Sequence, residues 1–170
     1  NIKKLQTKGG IEMKIRFGFI SNSSTSSFTG IGWSMSDINT ANLIINIVKE
    51  FGLPTPKDRG TISDFVNLVN FDLNGNVDLL TMDMIEEAEI EENELLEYLF
   101  EAYDTKLEFN YSSYDDHSIG KEFPDADTLD EYVLKINKIN EALKADPLYN
   151  FMVKYTGSEP MFINEAWVDN

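Results

Sequence analysis

From Gly60 to Thr105 the chain contains no lysine or arginine. Residues 61–131 carry 21 acidic side chains and two basic ones, Lys106 and Lys121. Residues 1–60 hold eight basic and four acidic groups, and residues 132–170 hold four and five. The acidity of the whole chain, 30 Asp plus Glu against 14 Lys plus Arg, is therefore concentrated in its middle. That segment has to keep its carboxylates ionised with no cation of its own nearby, which limits it to elements with a water-facing acidic side. The net charge of −16 also argues against recognition of nucleic acid or an anionic membrane through the protein's own field.

The remaining composition is ordinary for a globular protein of 170 residues, with 42% apolar and 26% charged side chains, and excludes collagen-like and wholly disordered chains. The lack of cysteine excludes disulfide scaffolds, thiolate zinc sites and cysteine nucleophiles. His117 is the only histidine, so a Ser-His-Asp triad would have to use it. No apolar run reaches the roughly 18 residues of a membrane span, and the N-terminus lacks the zones of a signal peptide. The expectation is a cytoplasmic protein with no membrane contact. Lys8-Gly9-Gly10 just ahead of Ile11-Glu12-Met13 can be encoded by a purine run of the bacterial ribosome-binding type. Residues 1–12 are accordingly read as an upstream extension, with translation starting at Met13 and a single domain over 13–170.

Apolar alternation predicts a strand at Met13 to Ile20 and another at Phe28 to Trp33, the latter weakened by Gly30 and Gly32. Ile38, Ala41, Ile44/Ile45, Val48 and Phe51 form a helical stripe after a Ser36 or Asp37 cap, ended by Gly52 and Pro54. A short helix is expected at Ile62 to Leu68. Alternation on both sides of Asn74-Gly75 predicts a hairpin over Val69 to Leu79. Asp83-Met-Ile-Glu86 reads as a capping box opening a Glu-rich helix to about Tyr103, with a break near Asn93. Strands are expected at Lys106 to Tyr111, His117 to Phe123, Phe151 to Tyr155 and Met161 to Val168. Thr128-Leu-Asp-Glu131 opens a last helix with a stripe of Leu129, Val133, Ile136, Ile139/Asn140 and Leu143. The sum is an α+β fold, one mainly antiparallel sheet with about four helices.

The acidic helix bears Glu86, Glu87, Glu89, Glu91, Glu92, Glu94, Glu97 and Glu101. Like charges at i,i+4 repel by roughly 0.2–0.5 kcal/mol per pair, so the cluster costs about 1–3 kcal/mol in all. Either it is a solvated face or it awaits a cationic partner. Glu86, Glu87, Glu91, Glu94, Glu97 and Glu101 are the candidate contacts for a basic protein. Asp72 to Asp83 places oxygen donors as a calcium loop would, but Val77 stands where the loop needs Gly, and the hairpin uses the same residues better. No metal and no cofactor is expected. Enzymatic readings rest on His117 flanked by Asp115 and Asp116, on a Ser-rich-loop hydroxyl, or on Ser118-Ile-Gly-Lys121 as a Ser-x-x-Lys pattern. Each is thin.

Ser21-Asn22-Ser23-Ser24-Thr25-Ser26-Ser27, closed by Phe28, is a hydroxyl-dense loop suited to recognition, modification or anion binding. Met13 to Phe28 as a whole resembles the Met-Lys-x-Arg-x-Gly-Phe-Val/Ile-Ser-Asn-Ser-Ser-Ser-Ser-Ser-Phe signature that opens many small uncharacterised proteins of bacteriophages and bacteria. Thr25 is a mild departure from it. The resemblance implies a phage or bacterial origin and no particular activity. The leading expectation is a non-enzymatic accessory protein that binds a basic partner, with Ser21, Asn22, Ser23, Ser24, Ser26, Ser27 and Phe28 as a recognition element. A small hydrolase or transferase and a virion or assembly component are the alternatives.

Overall fold

Three glycines let two backbones approach more closely than any side chain would permit. The computed structural model describes residues 25–54, 61–111 and 117–168. Gly30 and Gly32 lie on strand β1 (Thr25–Ser34) and Gly120 on strand β3 (His117–Glu122). A Cβ on Gly30 would strike the Lys121 carbonyl oxygen, one on Gly32 that of Ile119, and one on Gly120 that of Ile31. The glycines that weaken this strand as a sequence pattern are what allow its pairing.

The chain divides into two compact units, residues 35–104 and the residues on either side of them. The flanking unit holds one antiparallel sheet of order β2-β3-β1-β4, with β2 at Glu108–Tyr111 and β4 at Met161–Val168. The register sets Trp33 beside Ile119 and Ile119 beside Phe109, a buried row on one face. Ile31 shares that face two residues along β1.

Two helices lie in sequence between β3 and β4, α5 (Leu129–Lys144) and α6 (Pro147–Thr156). Tyr149 of α6 lies against Trp33 with ring centroids 5.7 Å apart, and Trp33 Nε1 donates to the Ser158 carbonyl at 3.0 Å. Tyr132 of α5 meets Phe123 edge-on, and this pair packs with Ala126, Ile31 and Ile136. Thr128 caps α5 as expected, its hydroxyl accepting from Glu131 N–H at 3.1 Å, while the Glu131 carboxylate accepts from Asp127 N–H at 3.1 Å, one residue before the cap. On α5 Tyr132 and Leu143 are buried and Ile136 and Ile139 partly buried, whereas Leu129 and Val133 are about half exposed. The stripe read from Leu129 and Val133 was displaced because the tyrosine, not the aliphatics, faces Phe123.

The strand expected at Phe151 to Tyr155 is instead α6. Asp146 caps it by accepting from Leu148 N–H at 2.9 Å, Pro147 fills the first turn, and Gly157 ends it with φ 73°. Asp146 is buried and also accepts from the Thr105 hydroxyl at 2.8 Å and from Lys106 N–H, which ties the entry of β2 to the start of α6.

Residues 35–104 are helical. α1 (Thr40–Phe51) is capped by Asn39, which accepts from Asn42 N–H at 2.9 Å, and it buries Ala41, Leu43, Ile44, Ile45, Ile47 and Val48. So broad an apolar face marks a central helix. It packs against α3 (Met82–Glu87), α4 (Glu92–Ala102) and a short 3-10 turn at Val77–Leu79. Tyr103, at the end of α4, donates to the Gly52 carbonyl at the end of α1, and burial pushes its phenol well above the ordinary value.

The hairpin expected over Val69 to Leu79 is absent. α2 (Thr61–Asn67) passes into a π-helical turn, Leu68–Asp72, in which Leu73 N–H reaches the Leu68 carbonyl at 3.2 Å. Asn74 and Gly75 do take positive φ, 53° and 76°, but they end a helix. Ile62, Phe65, Leu68 and Val69 are buried at helical spacing, so the apparent alternation was the tail of a helical stripe. The fold is α+β, with six α-helices among the described residues.

Gly32→Ala and Gly120→Ala are expected to destabilise by more than about 3 kcal/mol, because a carbonyl of the partner strand cannot yield as a side chain does. Gly157→Ala, with open space around it, is expected to cost only about 1 kcal/mol for its positive φ. Urea unfolding of the three variants checks the ordering.

Candidate functional site

The Glu-rich helix is two helices. α3 ends in a Schellman arrangement: Ile90 N–H donates to the Ile85 carbonyl at 3.4 Å and Glu89 N–H to the Glu86 carbonyl at 3.0 Å. Ile85 and Ile90 are both buried, which supplies the apolar contact of that motif. The residue in the left-handed conformation is Glu89, with φ 54°, where glycine is the usual occupant. The break expected near Asn93 therefore comes earlier, at Ala88 to Glu91, and no glycine announces it. The cap expected from Asp83 is supplied by Thr81, whose hydroxyl accepts from Met84 N–H at 3.3 Å.

Glu91 is the N-cap of α4 and makes no side-chain cap bond, unlike Asn39, Thr81, Thr128 and Asp146. Glu92 opens the helix and is half-buried. Burial, then the neighbouring Glu91 and Glu86 carboxylates, push its carboxyl above the ordinary value. Glu86, Glu91 and Glu92 thus converge electrostatically across the α3–α4 turn. The helix dipole at the first turn favours a negative charge there, but does not outweigh those effects.

Along α4, Glu94, Glu97 and Glu101 recur at i, i+3 and i+7 on the side opposite the buried Leu95, Leu96, Leu99 and Phe100. Glu94 and Glu101 are exposed and Glu97 half-exposed; Glu86, Glu87 and Glu91 are exposed as well. The six glutamates singled out from the sequence thus form one row on α4 and one group at the turn. Glu89 and Glu92 were not among them, although their positions carry the strongest local conflict. The signal for Glu92 lay in its place directly after the break.

Other candidates fare differently. Ser21 to Ser24 and Asp115-Asp116 lie outside the described residues, as do Met13 to Ile20 and residues 1–12. Ser26, Ser27 and Phe28 belong to β1, opposite Trp167, Ala166 and Glu165 of β4, so the Ser-rich stretch is not a loop from Thr25 onward. His117 opens β3, its ring edge-on to Phe109 at 5.9 Å. Ser118 is buried, while Lys121 reaches Glu108 at 3.0 Å. On a strand, residues three apart face opposite sides, so the Ser-x-x-Lys pattern cannot place Lys121 against Ser118. In the would-be calcium loop, Asn76 Oδ1 accepts from Asp78 N–H at 3.1 Å. Among the described residues no group of three or more His, Asp or Glu is gathered as a metal site requires. Among them, too, no helix is long and apolar enough to cross a membrane.

Glu89→Gly is expected to stabilise residues 35–104 by about 1 kcal/mol by relieving the left-handed conformation. Glu91→Ser is expected to add about 1 kcal/mol by supplying the missing cap. Both are measured by thermal unfolding. Because its pKa is raised on folding, Glu92 favours the folded state when protonated and works against it once ionised. Glu92→Gln should therefore raise the melting temperature at pH 7, and the advantage should vanish as pH falls below the ordinary glutamate value of 4.5.

Compared with family models, curated proteins and solved structures, the chain matches none of them.

Proposed function

We propose that this chain is a non-enzymatic accessory protein, of phage or bacterial origin, that binds a basic protein partner through the glutamates of α3 and α4. The single observation that supports this reading is the placement of Glu89, Glu91 and Glu92. One holds a left-handed backbone that glycine would take more easily, one occupies a cap without capping, and one is half-buried between like charges. A face kept only for solubility can put its carboxylates at ordinary helix positions, where they cost little. Carboxylates kept at three of four successive positions against local stability fit a role in contact. The resemblance at Met13 to Phe28 carries the suggested origin, and the serines of that segment are proposed as a second recognition element. The protein would act in the cytoplasm.

In a pull-down from native or infected cells, the wild-type chain should retain a basic protein at about 0.1 M salt and release it near 1 M, where the screening length falls to about 3 Å. The quadruple reversal E86K/E87K/E91K/E94K should retain none of it at either salt. Retention that ignores both salt and charge reversal would refute the proposal.

A further inference from the structure

A cleft of about 370 Å³ opens in the sheet-bearing unit between the start of β2, the end of β3 and α5. Its lining is part apolar, Phe123, Pro124 and Ile139, and part charged, Glu108, Lys121, Glu122 and Asp125. Both parts are held in place by contacts behind them. Phe123 is buried, with Tyr132 edge-on at 6.3 Å and Phe162 edge-on at 5.9 Å. Lys121 reaches Glu108 at 3.0 Å and so joins β3 to β2. Lys135 of α5 donates to the Asp125 carbonyl at 2.9 Å, which ties the segment after β3 to the helix. A cleft of a few hundred Å³ whose lining is fixed before any ligand arrives is the usual form of a small-molecule site.

We infer that this cleft binds a small organic cation, an amine or amidine carried on an aromatic or aliphatic body. The body packs on Phe123, Pro124 and Ile139, and the cationic group faces the carboxylates of Glu122 and Asp125. Charge and shape together select this class. The lining holds three carboxylates and one ammonium, and Glu108 already engages that ammonium. An anion would therefore enter against a net negative lining. A bare metal ion fits poorly, because among the described residues no three carboxylates are gathered as a metal site requires, and it would leave the apolar lining in water. A neutral apolar molecule would cover the carboxylates without compensating them. The cleft lies wholly within residues 105–170, so the inference does not rest on the docking reading of α3 and α4.

The test titrates the isotope-labelled full chain with three probes and follows its backbone amides by NMR. Phenethylamine has both the ring and the cation, phenethyl alcohol keeps the ring alone, and ethylamine keeps the cation alone. Phenethylamine should move the amides of Lys121, Glu122, Phe123 and Ile139 and saturate with a Kd of about 1 mM, the level open to so small a ligand. Each of the other two should bind at least about tenfold more weakly. The variant E122Q/D125N, altered outside the core, should reduce the affinity for phenethylamine about tenfold and leave that for phenethyl alcohol unchanged. Equal binding of phenethylamine and phenethyl alcohol, unaffected by the variant, would overturn the inference in favour of a purely apolar cleft. Equal binding of phenethylamine and ethylamine would overturn it in favour of charge attraction alone. Absence of shifts at these amides at about 20 mM phenethylamine would overturn it as well.

Discussion

Repulsion among carboxylates that have no cation within their own stretch of sequence governs how residues 35–104 are built. Such groups can be kept ionised only in water or against an external charge. The helices therefore divide cleanly: Leu95, Leu96, Leu99 and Phe100 face inward on α4, and Glu94, Glu97 and Glu101 face away. α1, whose one carboxylate is Glu50, instead gives most of its surface to Ala41, Leu43, Ile44, Ile45, Ile47 and Val48, all buried. Where two helices meet at a turn there is no far side to retreat to, and Glu86, Glu91 and Glu92 come together there. In the sheet-bearing unit the situation differs. Glu108 meets Lys121 and Glu131 meets Lys135, each at 3.0 Å, because lysines return to the sequence after Thr105.

Much of this was legible in the residues. Period-two alternation marked β2, β3 and β4, and the apolar stripe with its Gly52 stop marked α1. The glutamates of α4 showed their common side through spacing alone. The errors have physical origins. Asn74-Gly75 encodes two positive φ angles, and that chemistry suits the end of a helix as well as a hairpin. Asp146-Pro147 and Gly157 bracket α6 as a cap, a first turn and a stop, although the Phe151 to Tyr155 segment within it also suits a strand. The division between α3 and α4, expected near Asn93, falls earlier because Glu89 does what glycine ordinarily does and no glycine marks the place. Tertiary contact, absent from any local pattern, decided that Tyr132 and not Leu129 faces inward on α5.

The sheet depends on a different economy of space. Gly30, Gly32 and Gly120 give up side chains so that β1 and β3 can approach, and the packing lost there is made up on the other face by Trp33, Phe109 and Ile119 with Tyr149 over the tryptophan. Asp146 does a comparable task with polar groups. One buried carboxylate accepts from three donors, two of them at the entry to β2 and one in the first turn of α6. A carboxylate so enclosed by donors is a fixed point, since withdrawing it would strand each of them.

The order in which the elements leave the ribosome follows from the division of the chain. Every element that packs on α1 has been synthesised by Asp104, so the helical half can condense from neighbours close in sequence while translation continues. β1 is made before all of them, yet both strands that flank it are made after them, β3 at His117–Glu122 and β4 at Met161–Val168. It emerges early, its glycine-bearing edge staying open in the nascent polypeptide until β3 is made and its other edge until β4 is available.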